Sequence, residues 1–336
     1  METMIAVRLR EGAAPELTTV DRPEPGPGEV RLAVSYSGIC HTDLHFVAGE
    51  RAARMASEVT MGHEVVGVID ALGPDVADWA VGDRVLVNPM GERGGQSWVL
   101  GVHYDGGWAE HVVVPADMLV AVGNIPPEQA AVIPDAVSTP WAAIRNTADV
   151  RAGESAGVWG IGGLGYHGVQ LLRLVGAAPI VAVDPNPAAR ERALRVGADL
   201  ALDPSRQDLN ERILEATDGR GLDVAFDFVG NANVQQQAFD AVGRYGRIVL
   251  VGVANGDLTL HSSPVLVRLS KQVIGHYGAE RHHLAQVVDL VRHGRLDLSG
   301  SVSQILPLAE FERGLDVLRN KVGDPVRVLL RPGGQD

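Results

Sequence analysis

The residues best suited to chemistry are concentrated in one short part of the chain. They are Cys40, His41, Thr42, Asp43 and His45, followed by His63 and Glu64. The cysteine is the only one in the sequence. Thiolate, imidazole and carboxylate are ligands that Zn²⁺ prefers, and a site with three protein ligands leaves one position open for a substrate. A lone cysteine is often just a small buried hydrophobic residue, but two neighbouring histidine motifs favour a metal site here.

A glycine-rich loop offers a second candidate site. Residues 160–165 have the pattern GxGxxG, follow a predicted strand and open a predicted helix. Such glycines permit a tight turn, close approach of a pyrophosphate and close helix–strand packing, while the helix N-terminus provides N–H groups. Asp184 ends the next predicted strand, near the spacing of a carboxylate that binds ribose hydroxyls. The plainer alternative is an ordinary glycine-rich loop with a solvated Asp184. We predict instead a dinucleotide site made by Gly160, Gly162, Gly163, Leu164, Gly165 and Asp184.

Asp184 also bears on the choice of cofactor. Its carboxylate can accept hydrogen bonds from the adenosine ribose and would repel a 2′-phosphate. Pro185 and Asn186 follow it, and Arg190, the nearest cation, falls on the following predicted helix. The sequence therefore favours NAD over NADP.

The two groups of residues lie in parts of the chain with different patterns. Before about residue 135, short β-rich runs at 30–36, 65–69 and 84–87 are separated by Pro and Gly. After about residue 137, strand-like runs at 157–159, 180–183, 224–226 and 248–251 alternate with helical patterns at 164–175, 187–196, 209–216 and 234–242. Repeated βα units predict an α/β fold with a parallel sheet covered by helices on both faces.

Composition excludes several classes of protein. A net charge of -13 argues against nucleic acid as a partner, because phosphate binding needs a basic surface. No apolar run approaches the roughly 18 residues that span a bilayer, so no membrane association is expected. The N-terminal residues show no signal-peptide pattern, and one cysteine cannot form an intrachain disulfide. We therefore expect a cytoplasmic protein.

Further motifs give the chain a family resemblance. The chain resembles the zinc-dependent alcohol dehydrogenases of the medium-chain dehydrogenase/reductase superfamily. Their zinc signature is matched by residues 62–67, with Gly73 and Val76 at the following spacings, and residues 82–85 match further on. The resemblance covers nearly the whole chain and is strongest to bacterial secondary-alcohol dehydrogenases. It implies a β-rich GroES-like catalytic domain at 1–136 and 277–336, with a Rossmann domain, a doubly wound parallel sheet, at 137–276. It also implies a homo-oligomer, either a dimer or a tetramer.

The resemblance assigns roles to individual residues. Cys40, His63 and Asp135 match the ligands of the catalytic zinc, and Glu64 matches a carboxylate that either lies behind them or exchanges onto the metal. Thr42 and His45 match a proton relay from a bound alcohol to solvent. The plainer alternatives are a loop carboxylate for Asp135 and an exposed loop histidine for His45.

Cofactor contacts extend beyond the glycine-rich loop. By the same resemblance, His41 and Arg327 match positions near the cofactor pyrophosphate, although an arginine near the C-terminus is more often a surface residue. We also predict cofactor contacts for Val229, Val251 and Val253. The implied activity is hydride transfer between NAD and a small or medium, secondary or primary alcohol, giving a ketone or an aldehyde.

Two segments depart from the family pattern. Many relatives hold a structural zinc with four cysteines, but residues 88–107 contain none, so we predict one catalytic zinc per chain and a segment held by packing, with Trp98 as a candidate. Arg51, Arg54 and Glu58 make the segment before His63 unusually charged. This segment lies either at the substrate entrance or on a solvated helix.

The sequence leaves three alternative functions. They are a zinc-free quinone or enoyl reductase, a carbonyl or imine reductase, and a non-catalytic nucleotide-binding protein.

Overall fold

The computed structural model describes residues 2–50, 56–93, 96–253, 258–259 and 262–333. Arg51 and Arg54, part of the unusually charged segment, lie outside the described residues. The chain divides into two compact units, Met1–Ser138 together with Ala279–Asp336, and Thr139–Gly278.

The secondary-structure elements are numbered in chain order. The strands are β1 (Thr3–Arg10), β2 (Glu16–Asp21), β3 (Glu29–Ile39), β4 (Glu58–Thr60), β5 (Val65–Leu72), β6 (Arg84–Val87), β7 (Met90–Arg93), β8 (Gln96–Val99), β9 (His111–Pro115), β10 (Leu119–Ala121), β11 (Ala156–Trp159), β12 (Ile180–Val183), β13 (Leu200–Leu202), β14 (Leu222–Asp227), β15 (Val242–Leu250), β16 (Gln272–Gly275), β17 (Gln304–Pro307) and β18 (Val328–Arg331). The α-helices are α1 (His41–Val47), α2 (Pro127–Ala130), α3 (Ser138–Ala142), α4 (Gly163–Val175), α5 (Pro187–Val196), α6 (Leu209–Ala216), α7 (Ala232–Ala241), α8 (Ser263–Arg268), α9 (Arg281–Arg292) and α10 (Phe311–Arg319).

The first unit is built around strand β3. Strands run in the order β10-β6-β5-β3-β18-β17, β9 also pairs with β3, and β2-β1-β4 form a smaller sheet. Alternate residues of β3 face a core with β5, β6 and β9, so that Val30, Leu32 and Val34 are buried together with Val65 and Val112. Strand β3 therefore runs through the buried centre of the sheet and carries the chain directly into the cluster of reactive residues at 40–45.

The C-terminal segment completes the same sheet. Strand β18 pairs antiparallel with the end of β3, with Val328 opposite Ile39 and Leu329 opposite Gly38. This register places Arg327, just before β18, beside the residue that follows β3. Sequence distance is no guide to this contact, because the paired residues lie almost a whole chain length apart.

The second unit is a parallel sheet in the order β13-β12-β11-β14-β15-β16. Its pairings are all parallel, and its core includes Trp159, Val181, Ala225, Phe239 and Ile248. The strand order reverses between β12 and β14, on either side of β11, and ligands of such sheets bind at the carboxyl ends of the strands at that point. The predicted α/β fold with a parallel sheet is confirmed.

Within the segment 88–107, strands β7 and β8 pair antiparallel. Trp98 is buried in the core of the first unit, and its ring stacks on Tyr104 with 5.5 Å between the ring centroids. Aromatic packing therefore contributes to this segment. Within the described part of the chain, no helix is long and apolar enough to cross a membrane.

Candidate active site

The junction between β3 and α1 positions the cysteine. Cys40 is the N-cap of α1 and has an extended backbone. Asp43, three residues on and almost fully buried, accepts a hydrogen bond from the Cys40 N–H at 2.8 Å through Oδ2, while its own N–H donates to the Cys40 carbonyl at 3.0 Å. This reciprocal capping satisfies helix N–H groups that would otherwise lack partners. It also fixes the direction in which the thiol leaves the backbone.

Three further potential metal ligands converge on the thiol. Ligand atoms of Cys40, His63, Glu64 and Asp135 all lie within 4.8 Å of one another. Cys40 Sγ is 3.3 Å from Asp135 Oδ2, and His63 Nε2 is 3.9 Å from the same oxygen. Asp135 lies in a π-helical turn, Ile133–Val137, and the Ser138 hydroxyl donates to the Pro134 carbonyl across it. The sequence-predicted ligand set is thus brought together in one unit.

The electrostatics of the cluster fit a cation. Glu64 is fully buried, and neither of its carboxylate oxygens has a hydrogen-bond partner among the described residues. Burial raises the pKa of Glu64 to about 8, although the Arg327 guanidinium opposes the shift. Burial lowers the pKa of His63, but Asp43 and Asp135 raise it well above its usual value. The negative charge that holds a proton on His63 would equally attract Zn²⁺, for which thiolate, imidazole and carboxylate are suitable ligands.

Glu64 is held in place by tight packing and by Arg327. A Cβ atom on Gly38 would collide with the Glu64 carboxylate, so glycine is required at that point of β3. Arg327 Nη2 is 3.2 Å from Glu64 Oε1, an ion pair without hydrogen-bond geometry, and Arg327 Nη1 donates to the Ile39 carbonyl at 3.1 Å. Arg327 is 2% exposed, so the alternative that it is an ordinary surface residue is wrong.

Asp43 is a site residue to which sequence reasoning gave no role. Its Oδ1 lies 3.4 Å from His63 Nδ1, on the opposite side of the ring from Asp135. A carboxylate behind a ligating histidine fixes the ring orientation and its tautomer, and loss of such a partner typically costs 10–100-fold in metal affinity. The signal available in the sequence is the position of Asp43, three residues after Cys40 at the start of a helix.

We expect Asp43→Asn to weaken zinc binding by roughly 10–100-fold. The asparagine side-chain oxygen still accepts the Cys40 N–H, so α1 should begin at the same residue, whereas the negative charge beside His63 is lost. Competition with a chromophoric chelator measures the affinity. Asp117→Asn, at an exposed position, is the matched control. Equal zinc affinity in Asp43→Asn and the control would contradict this role.

The predicted relay residues share one face of α1. Thr42 Oγ1 is 3.7 Å from Cys40 Sγ, which places the hydroxyl beside the metal ligands. His45 follows three residues later, so the two side chains are neighbours on the helix surface. His45 is partly exposed and Thr42 is half-buried, an arrangement that leads from the cluster towards solvent. His41, at the first position of α1, is exposed.

The glycine-rich loop of the second unit joins β11 to α4. Gly160 has φ +85°, Gly162 caps α4 without a side chain, and Gly163 and Leu164 begin the helix. A Cβ on Gly165 would collide with the Gly160 carbonyl oxygen. The loop therefore presents helix N–H groups at a point that a phosphate can approach closely.

The remaining predicted cofactor residues lie at the carboxyl ends of the sheet strands. Asp184 is buried after β12, where Oδ2 accepts the Ile161 N–H at 2.7 Å and Oδ1 accepts the Asn186 N–H at 2.8 Å. Val229 follows β14, and Val251 and Val253 follow β15. Val229 and Val253 are exposed, whereas Val251 is buried.

Asp227 at the end of β14 is a second residue that sequence reasoning missed. It accepts the N–H groups of Val229 and Gly230 at 2.8 and 2.9 Å and so shapes the turn after the strand.

Two family models match the chain. The model of the alcohol dehydrogenase GroES-like domain matches residues 26–124, and that of the zinc-binding dehydrogenase matches residues 163–293. The L-threonine 3-dehydrogenase of Pyrococcus horikoshii is 32% identical, over 98% of this chain and 99% of the relative. The chain belongs to the zinc-binding dehydrogenase family. This membership confirms the predicted family, the GroES-like and Rossmann domain types and an oxidoreductase activity.

Solved structures agree over the whole chain. The 2R,3R-butanediol dehydrogenase of Bacillus subtilis has a TM-score of 0.88 and 28% identity, with 98% of this chain and 100% of that chain covered. A zinc-binding dehydrogenase of Sinorhizobium meliloti bound to NADP has a TM-score of 0.91 and 28% identity, with coverage of 99% and 100%. Zinc and a nicotinamide dinucleotide are therefore the cofactors of this family of enzymes.

Proposed function

We propose that the protein is a zinc-dependent alcohol dehydrogenase that transfers a hydride from an alcohol to NAD. The observation that carries the proposal is the set of the buried Cys40, His63 and Glu64 and the partly buried Asp135, beside the Thr42 hydroxyl. Cys40, His63 and Asp135 would hold one zinc ion. Glu64, paired with Arg327, would lie behind the metal or exchange onto it.

The chemistry divides between the cofactors and the chain. When bound, Zn²⁺ acts as a Lewis acid that makes an alcohol hydroxyl more acidic, and NAD accepts the hydride. Thr42 Oγ1 accepts the hydroxyl proton and donates its own onward, since a hydroxyl is both donor and acceptor. His45 takes the proton and releases it to solvent. The buried surroundings of the ligands keep bulk water from the reacting hydroxyl.

Related enzymes indicate the class of alcohol. L-threonine, oxidised at position 3, and butanediol both carry a secondary hydroxyl, and the relatives named for them cover almost the whole of this chain. We propose a small or medium secondary alcohol as the preferred substrate, with primary alcohols as weaker substrates. A carbonyl or imine reductase would use the same site in the opposite direction. The ligand set argues against a zinc-free quinone or enoyl reductase, because those reactions need no metal ligands.

The cofactor proposal is NAD in preference to NADP. Asp184 would face the ribose hydroxyls, where its charge repels a 2′-phosphate. Arg190 is engaged elsewhere, since its Nη1 donates to the Asp184 carbonyl at 2.7 Å and to Asp203 at 3.2 Å. We keep His41 and Arg327 as proposed pyrophosphate contacts, and Val229, Val251 and Val253 as proposed cofactor contacts.

We expect Asp184→Asn to reduce the preference for NAD over NADP at least about tenfold, because it removes the repulsive charge. Asparagine keeps an oxygen to accept the Ile161 N–H, so the loop should retain its conformation. The ratio of kcat/KM values for the two cofactors measures the effect, and Asp218→Asn, at an exposed position of the same unit, is the control. A wild-type preference for NADP would contradict the proposal.

The assembly and the setting of the enzyme are part of the same proposal. Strand β16 is an edge of its sheet, and Val267 and Tyr277 near it are 75% and 67% exposed, which supports a homo-oligomer, dimer or tetramer, through this edge. We also propose domain limits at 1–136 with 277–336 and at 137–276, and a cytoplasmic location. Reduction of NAD by a panel of small alcohols tests the function.

A further inference from the structure

We propose that Glu50 is a positioning residue that orients the His45 imidazole for proton transfer. The inference rests on the proposed relay through Thr42 and His45. His45 Nδ1 is 2.5 Å from Glu50 Oε2, the shortest contact that the described structure gives this histidine. Glu50 belongs to none of the motifs described above.

The end of α1 explains why Glu50 meets His45. The Gly49 N–H donates to the Phe46 carbonyl at 2.9 Å, and the Glu50 N–H donates to the His45 carbonyl at 3.0 Å. These two bonds, with Gly49 at φ +73°, form a Schellman motif that reverses the chain at the helix C-terminus. The buried Phe46 side chain anchors this last turn in the core. Residue 50 is therefore folded back over the last turn, above residue 45.

The contact selects one tautomer of the imidazole. A carboxylate cannot donate, so neutral His45 must carry its proton on Nδ1 and donate it to Glu50. Nε2 then presents its lone pair as the proton acceptor. When the proton arrives on Nε2, the Glu50 carboxylate also stabilises the resulting imidazolium, the role that an acidic residue has behind a catalytic histidine. Solvent water then takes the proton from Nε2, which restores the Nδ1–H tautomer for the next turnover.

The pair is too exposed to be explained by stability. The side chains of His45 and Glu50 are 31% and 43% exposed, and ion pairs at such positions contribute little to folding. Their value lies in orientation, since an unpaired imidazole on a helix surface would rotate and exchange tautomers. The expected effect on catalysis is correspondingly moderate.

The test combines variants at both residues of the pair. Glu50→Gln should lower kcat roughly three- to tenfold, less than the loss of the general base itself because the imidazole is still present, and leave the KM values for NAD and alcohol unchanged. In the His45→Gln background the same change should have no further effect, because the group that Glu50 orients is absent. Glu211→Gln, at an exposed position in the second unit, is the control.

A second readout separates the role of Glu50 from the relay itself. Nitrogen-15 chemical shifts of His45 should report the Nδ1–H tautomer in the wild-type enzyme and a mixture of tautomers in Glu50→Gln. An unchanged tautomer, or an equal fall of kcat in both backgrounds, would overturn the inference about Glu50. Full activity of His45→Gln, with the tautomer shift present, would instead refute the relay of the proposed function and with it any catalytic consequence of Glu50.

Discussion

Replacing Thr42 with valine is expected to lower kcat by at least about a hundredfold, the lower end of the range for loss of a proton-transfer group. Valine has nearly the same shape as threonine, so the half-buried position beside Cys40 should remain filled. It cannot accept or donate a proton, and the alcohol hydroxyl would lose its route out of a water-poor site. Steady-state kinetics measure the loss, and fluorescence titration with the reduced cofactor should show unchanged binding.

Two variants define the origin of that loss. Thr42→Ser retains a hydroxyl and should keep most of the activity. His45→Gln should be milder than Thr42→Val, because water can partly replace an exposed acceptor. If Thr42→Val turns over as fast as the wild-type enzyme, the hydroxyl has no part in proton transfer.

Removing the metal should abolish activity without unfolding the protein. The proposed ligands project from a framework that is stabilised by its own core, since β3, β5 and β18 pair around buried Val, Leu and Ile side chains. A site with an open position and a carboxylate ligand should release zinc to a chelator more readily than a site of four thiolates. We expect complete loss of turnover, an unfolding temperature lowered by only about a few degrees, and recovery on addition of Zn²⁺.

The metal count is part of the same prediction. Elemental analysis should give one zinc per chain, because residues 88–107 lack the cysteines of a structural site and Trp98 packs in the core there. Cys40→Ser should lose the ion and serves as the matched control. Two zinc ions per chain would contradict the single-site proposal, and full activity with none would favour the zinc-free reductase.

The parts of the fold that the sequence predicts are those encoded locally. The alternation of strand and helix patterns after residue 137 predicts a parallel sheet. The GxGxxG motif followed by Asp184 predicts the dinucleotide-binding loop of that sheet. Both patterns can be read from the sequence because each βα unit is a short, continuous stretch of chain. Cys40 and His63 were likewise recognisable from short motifs. Their convergence with Asp135 required the family resemblance, since nothing in the spacing alone brings the turn at 133–137 to the end of β3.

Other contacts were beyond sequence reasoning because they depend on register. Asp43 meets His63 only when β3 and β5 pair with Ser37 opposite Val65. Arg327 reaches Glu64 only because β18 pairs with the end of β3, and its predicted role at the cofactor pyrophosphate remains a prediction. Glu50 approaches His45 because the backbone reverses at Gly49. The sequence gives the glycine, but only the structure shows that it has the left-handed conformation.

The most direct test of the account is the reduction of NAD by a panel of small secondary and primary alcohols, measured before and after chelation on the same preparation. The account predicts reduction with at least one secondary alcohol, loss of the reaction after chelation and its return with Zn²⁺. NAD reduction that is unaffected by complete removal of the metal would contradict the central claim that the Cys40, His63 and Asp135 cluster is a catalytic zinc site.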